Sequence, residues 1–122
     1  PSQADVLAPD SSEIRELLSM NGGSMVHCTL PPGKQSLAVA HKNIEEIWYC
    51  IEGRGQVWRK RGEQESEVDV FPGVCLTIPP QTHFQFRNTD WTPLFFIIVT
   101  MPPWPGPQEC ISVEPHWPSK QA

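Results

Sequence analysis

Basic charge is scarce in this sequence. Nine lysines and arginines stand against fourteen aspartates and glutamates, a net charge of −5 over 122 residues. The one basic cluster, Arg59-Lys60-Arg61, ends a predicted strand just before Gly62 and reads as a solvated hairpin end. Nucleic-acid binding needs a broad positive surface to meet phosphates, so it is not expected here. Long apolar runs are missing as well. The stretch from Leu94 to Val99 is far short of the roughly 20 residues a membrane helix requires, and reads as a buried strand. The segment Pro1 to Pro9 lacks the charged and apolar regions of a secretory signal, and the cysteine usage is read as that of a cytoplasmic protein. The four cysteines, Cys28, Cys50, Cys75 and Cys110, have no C-x-x-C spacing. All four are expected to be reduced and structural, because free cysteine in an apolar strand behaves as a small buried hydrophobe. No nucleophile elbow, phosphate-cradling loop or dinucleotide fingerprint occurs, and Gly53-Arg54-Gly55 lacks the third glycine of the last.

Proline, by contrast, is abundant. Fourteen prolines fall between apolar runs, where each ends a strand or shapes a turn. Strand-like runs occur at Ser24 to Leu30, Ser36 to His41, Glu46 to Ile51, Gln56 to Lys60, Ser66 to Val70, Val74 to Ile78, His83 to Arg87 and Leu94 to Met101. Eight to nine short strands with frequent punctuation predict an all-β sandwich or barrel that removes exposed edges by closure. Asp10 to Met20 is ambiguous. Asp10 with Glu13 resembles a capping box, and Ile14, Leu17 and Leu18 share a helical face, yet an edge strand fits equally. The chain is read as one domain over residues 1–122, with a core of about 24–101 and a Pro/Trp-rich tail over 102–122.

Two places carry candidate chemistry. His41 ends one predicted strand and Glu46 opens the next, so a hairpin brings them together, with Glu46, Trp48 and Cys50 on one face. A carboxylate buried beside an imidazole is costly unless it is paired or holds a metal. The competing reading is a surface turn with two solvated polar groups. His83 follows the turn Pro79-Pro80-Gln81-Thr82, where a structural histidine is the default.

Spacing adds a resemblance. Gly33, His41, Glu46 and Gly53 fit the first motif of the cupin family, with Val39 at its first histidine position. Gly73, Pro79 and Asn88 fit the second motif, with Gln81 at its glycine and Phe84 at its histidine. The sequence thus resembles a small single-domain cupin. That resemblance implies a double-stranded β-helix, a jelly-roll-like barrel, commonly homodimeric, with a divalent metal held by three histidines and one glutamate. Val39 and Phe84 cannot coordinate, so the implied ligand set is degenerate. A one-residue bulge or a tighter turn before His83 would rotate that side chain inward. His41, Glu46 and His83 would then form a two-histidine, one-carboxylate set suited to iron, manganese, nickel or zinc. Asn43 would add a weak oxygen ligand or simply face water.

Without a metal, Val39, Trp48, Phe84 and Phe86 are expected to line an apolar pocket around the polar pair. His41, its pKa raised by Glu46, would serve as general base, as in metal-free cupins that isomerise or epimerise sugars. Phe86 reads as plain barrel core, whereas Trp48 and Phe84 are either core or, as candidate substrate-binding residues, touch the ligand. Gln85 and Arg87 would contact an anionic one if His83 faces inward, and otherwise face solvent or a partner chain. Trp104 and Trp117 in the tail would pack on the barrel or on a second subunit. The readings carried forward are three: a cupin isomerase or dioxygenase acting on a small polar metabolite, a binding module for sugars or small acids that has lost metal chemistry, and an interaction protein using the tail.

Overall fold

The computed structural model describes residues 6–7 and 11–118. Asp10 and most of Pro1 to Pro9 fall outside the described residues. The strands are β1 (Val6–Leu7), β2 (Glu13–Met20), β3 (Gly23–Leu30), β4 (Val39–His41), β5 (Glu45–Glu52), β6 (Gly55–Arg61), β7 (Gln64–Val70), β8 (Cys75–Ile78), β9 (His83–Asn88), β10 (Leu94–Met101) and β11 (Cys110–Ser112). They form two sheets, one ordered β1-β2-β3-β10-β5-β8 and the other β11-β4-β9-β6-β7. All pairings are antiparallel. The fold is the double-stranded β-helix of cupins. No helix among the described residues is long and apolar enough to cross a membrane.

Strict alternation builds the core between the sheets. Trp48 of β5, Phe84 and Phe86 of β9 and Phe96 of β10 are fully buried. The Trp48 ring lies 5.5 Å from Phe84 and 5.0 Å from both Phe86 and Phe96, in edge-on or tilted contacts that suit the aromatic quadrupole. Cys28, Leu30, Leu76, Ile78 and Ile98 complete this layer. None of the four cysteines forms a disulfide; Cys28 and Cys50 are buried, whereas Cys75 is exposed.

The ambiguous N-terminal segment is a strand. Ile14 pairs opposite Cys28 and Glu16 opposite Val26, with a bulge between Glu16 and Leu18. A helix built on Ile14, Leu17 and Leu18 would need one buried stripe, but only Ile14 packs on the core while Leu18 stays exposed. The predicted strand from Ser36 shortens to Val39–His41 because a side chain takes over part of the ladder. Ser36 N donates to Phe86 O, while Phe86 N donates to Ser36 Oγ.

Two motif positions show why their backbone matters. Gly53 has φ +89°, and a Cβ there would stand 2.4 Å from Pro93 O. Only glycine tolerates both conditions. Gln81, which stands at the glycine position of the second motif, keeps the left-handed backbone at φ 65°. Its N–H donates to His41 O at 2.7 Å, so this turn steadies the end of β4.

Candidate functional site

His41 and Glu46 do converge inside the barrel. Both are buried, and His41 Nδ1 lies 3.9 Å from Glu46 Oε1, too far for a hydrogen bond. Glu46 is instead held by its own sheet. Trp48 Nε1 donates to Oε1 at 2.9 Å and Thr100 Oγ1 donates to Oε2 at 2.7 Å. Alternation explains this clamp: Glu46 and Trp48 share the inner face of β5, and Thr100 sits opposite Glu46 on β10. His41 Nδ1 is buried with no hydrogen-bond partner. The imidazole is wedged between two rings, with Phe84 at 5.1 Å and Trp104 at 5.3 Å, both edge-on.

This setting reverses the expected shift. Burial lowers the His41 pKa to about 4, and the Glu109 carboxylate pulls it only part of the way back. A carboxylate partner was expected to raise it, but desolvation outweighs that attraction. His41 is therefore neutral at physiological pH.

Glu109 had no sequence signal. It ends a short 3-10 turn, Pro107–Glu109, which leads into β11. Its buried carboxylate accepts hydrogen bonds from Asn43 N, from Asn43 Nδ2 at 3.2 Å and from Ile44 N at 2.8 Å. Lys42 N donates to Glu109 O, and Cys110 pairs with His41 across the β11–β4 ladder. One tail residue thus clamps the turn that joins the strands of His41 and Glu46. Burial pushes the Glu109 carboxyl up, but the bonds from Asn43 and Ile44, with His41 nearby, hold it below its ordinary value. Asn43 spends its side chain on this clamp and does not reach toward a metal.

A cavity of about 550 Å³ opens beside the pair. Its walls include His41, Glu46, Trp48, Phe84, Thr100 and Trp104. The inner face of β2 adds Ile14 and Glu16, and Pro103 and Pro107 extend the tail's contribution. Trp48 and Phe84 therefore line it as expected, while Val39 and Phe86 belong to the core behind it.

His83, Gln85 and Arg87 are not brought to the cavity, a correction to the sequence reading. β9 pairs with β6 from Gly55↔Asn88 to Lys60↔His83 without a register shift. The parity that turns Phe84 and Phe86 inward turns these three outward. Gln85 is nonetheless buried, because the tail covers it. It accepts from His116 N and Trp117 N, and donates to Trp117 O and Ser36 O. Arg87 donates twice to Gln56 Oε1 and lies 4.2 Å over the Trp117 ring. Both hold this chain's own tail.

The donor set does not fit a divalent metal. Two of the four positions that the motifs assign to ligands hold buried Val39 and Phe84, and His83 is on the far face. Among the described residues no group of three ligating side chains converges. Among the described residues, neither Fe, Mn, Ni nor Zn finds a coordination sphere at this site.

Comparison with known proteins agrees with the fold. A model of the cupin domain matches residues 26–100, most of the barrel. The chain belongs to the cupin family. A curated relative, uncharacterized protein MJ1618 of Methanocaldococcus jannaschii, is 31% identical over 103 residues, covering 80% of this cupin and 79% of the relative. Among solved structures, a conserved double-stranded β-helix protein from Klebsiella pneumoniae is similar, with a TM-score of 0.65 and 19% identity, covering 75% of this chain and 72% of that one. The capsular polysaccharide assembling protein CapF of Staphylococcus aureus matches with a TM-score of 0.75 and 16% identity. That match covers 86% of this cupin and 32% of CapF. Such structural likenesses carry the fold alone.

Proposed function

We propose that this cupin binds a small molecule in the cavity beside His41, without a resident metal. The observation that carries this reading is His41 itself: an imidazole 5% exposed, neutral, with Nδ1 unpartnered, on the wall of a 550 Å³ cavity. A buried polar group without a partner is costly, and a ligand that satisfies it recovers that cost. Apolar and aromatic walls around a few placed polar groups are the usual make-up of a small-ligand site. Binding is favoured over proton transfer. With a pKa of about 4, His41 is unprotonated at neutral pH but a weak base, whereas efficient general bases titrate near the working pH. The isomerase and dioxygenase readings lose support for the same reason and for want of a third ligating side chain. Trp104 and Trp117 pack on their own barrel, which removes the basis for a tail-mediated interaction.

The test combines metal analysis with a fragment screen. Protein purified without a histidine tag is expected to hold well under one equivalent of divalent metal, and chelator is expected to leave fragment binding unchanged. Fragments should perturb NMR signals of His41 and Trp104 and lose binding in His41→Ala. About one equivalent of metal that disappears in His41→Ala would overturn the metal-free reading.

The outer face of the larger sheet supports a homodimer. Met25, Val99 and Ile47 form one row across β3, β10 and β5, and His27, Ile97 and Tyr49 form the next. Ile47 and Tyr49 are 46% and 45% exposed, an apolar face of the kind that obligate interfaces cover. Sedimentation equilibrium should give a dimer, and Ile97→Lys should shift it to monomer at unchanged circular dichroism. A wild-type chain that sediments as a monomer at high concentration would sink this.

A further inference from the structure

We infer that the cavity beside His41 takes a small, mainly apolar alcohol or phenol with a single hydroxyl group, and rejects polyhydroxylated molecules such as sugars. This rests on the reading of the cavity as a ligand site and names the class of ligand.

Strand register sorts the wall into rows. Ser24 pairs with Thr100 across β3 and β10, and Thr100 with Glu46 across β10 and β5, so these three form a polar row on the inner face. The tail covers that row. Trp104 N donates to Ser24 Oγ at 3.4 Å, and the Trp104 ring stands against His41. Two residues further along each strand, away from the tail, the wall turns apolar. Val26 pairs with Ile98, and Ile98 with Trp48. Beyond that row Ile14 pairs with Cys28. All of these residues line the cavity, with Phe84 on the facing sheet.

The polar row is occupied with its own contacts. Thr100 and Trp48 both donate to Glu46, and Ser24 accepts from the tail. Glu16 also borders the cavity but stays exposed to water. Among the described residues, three buried side-chain atoms lack a hydrogen-bond partner, and of these only His41 Nδ1 belongs to the cavity wall. A ligand therefore meets one polar anchor and an apolar remainder. A hydroxyl both donates and accepts, so it satisfies the neutral imidazole in either tautomer. Its hydrocarbon body displaces water from Val26, Ile98 and Phe84, which is the hydrophobic gain. A sugar of the same size would press further hydroxyls against these side chains, each losing water and gaining no hydrogen bond.

The test uses a graded set of probes. Cyclohexanol, cyclohexane-1,3,5-triol and myo-inositol share one ring and carry one, three and six hydroxyls. A fourth probe, 1-adamantanol, keeps a single hydroxyl on a larger hydrocarbon body. Affinities are read at neutral pH from NMR shifts of His41, Trp104 and the methyl groups of Ile14, Val26 and Ile98. At least one of the two alcohols is expected to bind about tenfold or more tighter than the triol, and myo-inositol least of all. His41→Ala should abolish alcohol binding. Val26→Thr, which exchanges a methyl for a hydroxyl at nearly constant shape, should weaken it about threefold to fivefold. If Val26→Thr fails to fold, Ile14→Thr replaces it, with the same expectation.

The triol or myo-inositol binding as tightly as the alcohols, and losing that binding in His41→Ala, would overturn the apolar preference and leave the ligand site standing. Alcohol binding that ignores both His41→Ala and the threonine variant would lie elsewhere and also overturn the inference. If none of the four probes binds while other fragments still perturb His41 and Trp104, the ligand class falls alone. If those fragments fail too, the ligand site falls with it.

Discussion

Acidification below about pH 6.5 is expected to destabilise the fold, with His41 responsible. Its pKa is 6.5 in an ordinary setting and about 4 in the barrel. Above about pH 6.5 neither state binds the proton and His41 contributes no pH dependence. Between the two values the unfolded chain is protonated and the native chain is not, so stability falls as pH falls. Below about 4 both states are protonated and the loss levels off, having reached about 3 kcal/mol. Urea denaturation across this pH range, compared with His41→Gln, measures the effect. His27, also lowered by burial first and Arg15 second, acts in the same direction but is present in both proteins. Equal pH slopes for wild type and variant would show that the imidazole is better solvated than its setting implies. NMR titration of His41 checks the value directly.

Replacing Glu109 by alanine should be the most damaging single change near the site, costing about 2–4 kcal/mol of stability. The alanine leaves Asn43 N and Ile44 N, which now meet a carboxylate, without an acceptor. Glu109→Gln keeps one carbonyl oxygen and should cost less. Because the Glu109 charge partly offsets the burial of His41, either variant should move the His41 pKa further down. That second readout separates an electrostatic clamp from general unfolding: a destabilised variant with an unmoved His41 titration would refute the coupling. Glu109 has its own pH signature. Its carboxyl is held below the usual carboxylate value, so its stabilisation is complete above that value and is lost as pH falls through the lowered one. This window opens only near the lower end of that of His41, so most of the His41 loss should precede it.

The two substitutions probe one design. The tail does not hang from the barrel but returns to it. Trp104 closes on His41, Glu109 fastens the β4–β5 turn, β11 pairs with β4, and Trp117 settles over Arg87 and Gln85. At the far end His116 stacks on Trp58 at 4.9 Å and meets Glu67 at 2.6 Å. Prolines keep this segment stiff, which lowers the entropy lost on docking. The wall of the cavity is therefore built partly from residues far from the barrel strands in sequence.

Local pattern sufficed for much of this. Alternation in β5 and β10 is set by single residues and their neighbours, so the inward Glu46, Trp48 and Phe96 were readable from period two. Glycine spacing carried the fold, because Gly53 stands where a side chain would strike the Pro93 backbone, a constraint no other residue meets. His41 and Glu46 were legible because three residues, Lys42 to Ile44, join their strands. The orientation of His83 was not, since it depended on whether β9 bulges, and only its unbroken pairing with β6 answers that. The direction of the His41 shift was hidden for a related reason: desolvation is a property of everything packed around a group, and here includes Trp104, some sixty residues away. Glu109 was invisible altogether. A glutamate in a proline-rich segment has no pattern of its own; it acquires its part only when chain closure carries it to two backbone N–H groups that no strand satisfies.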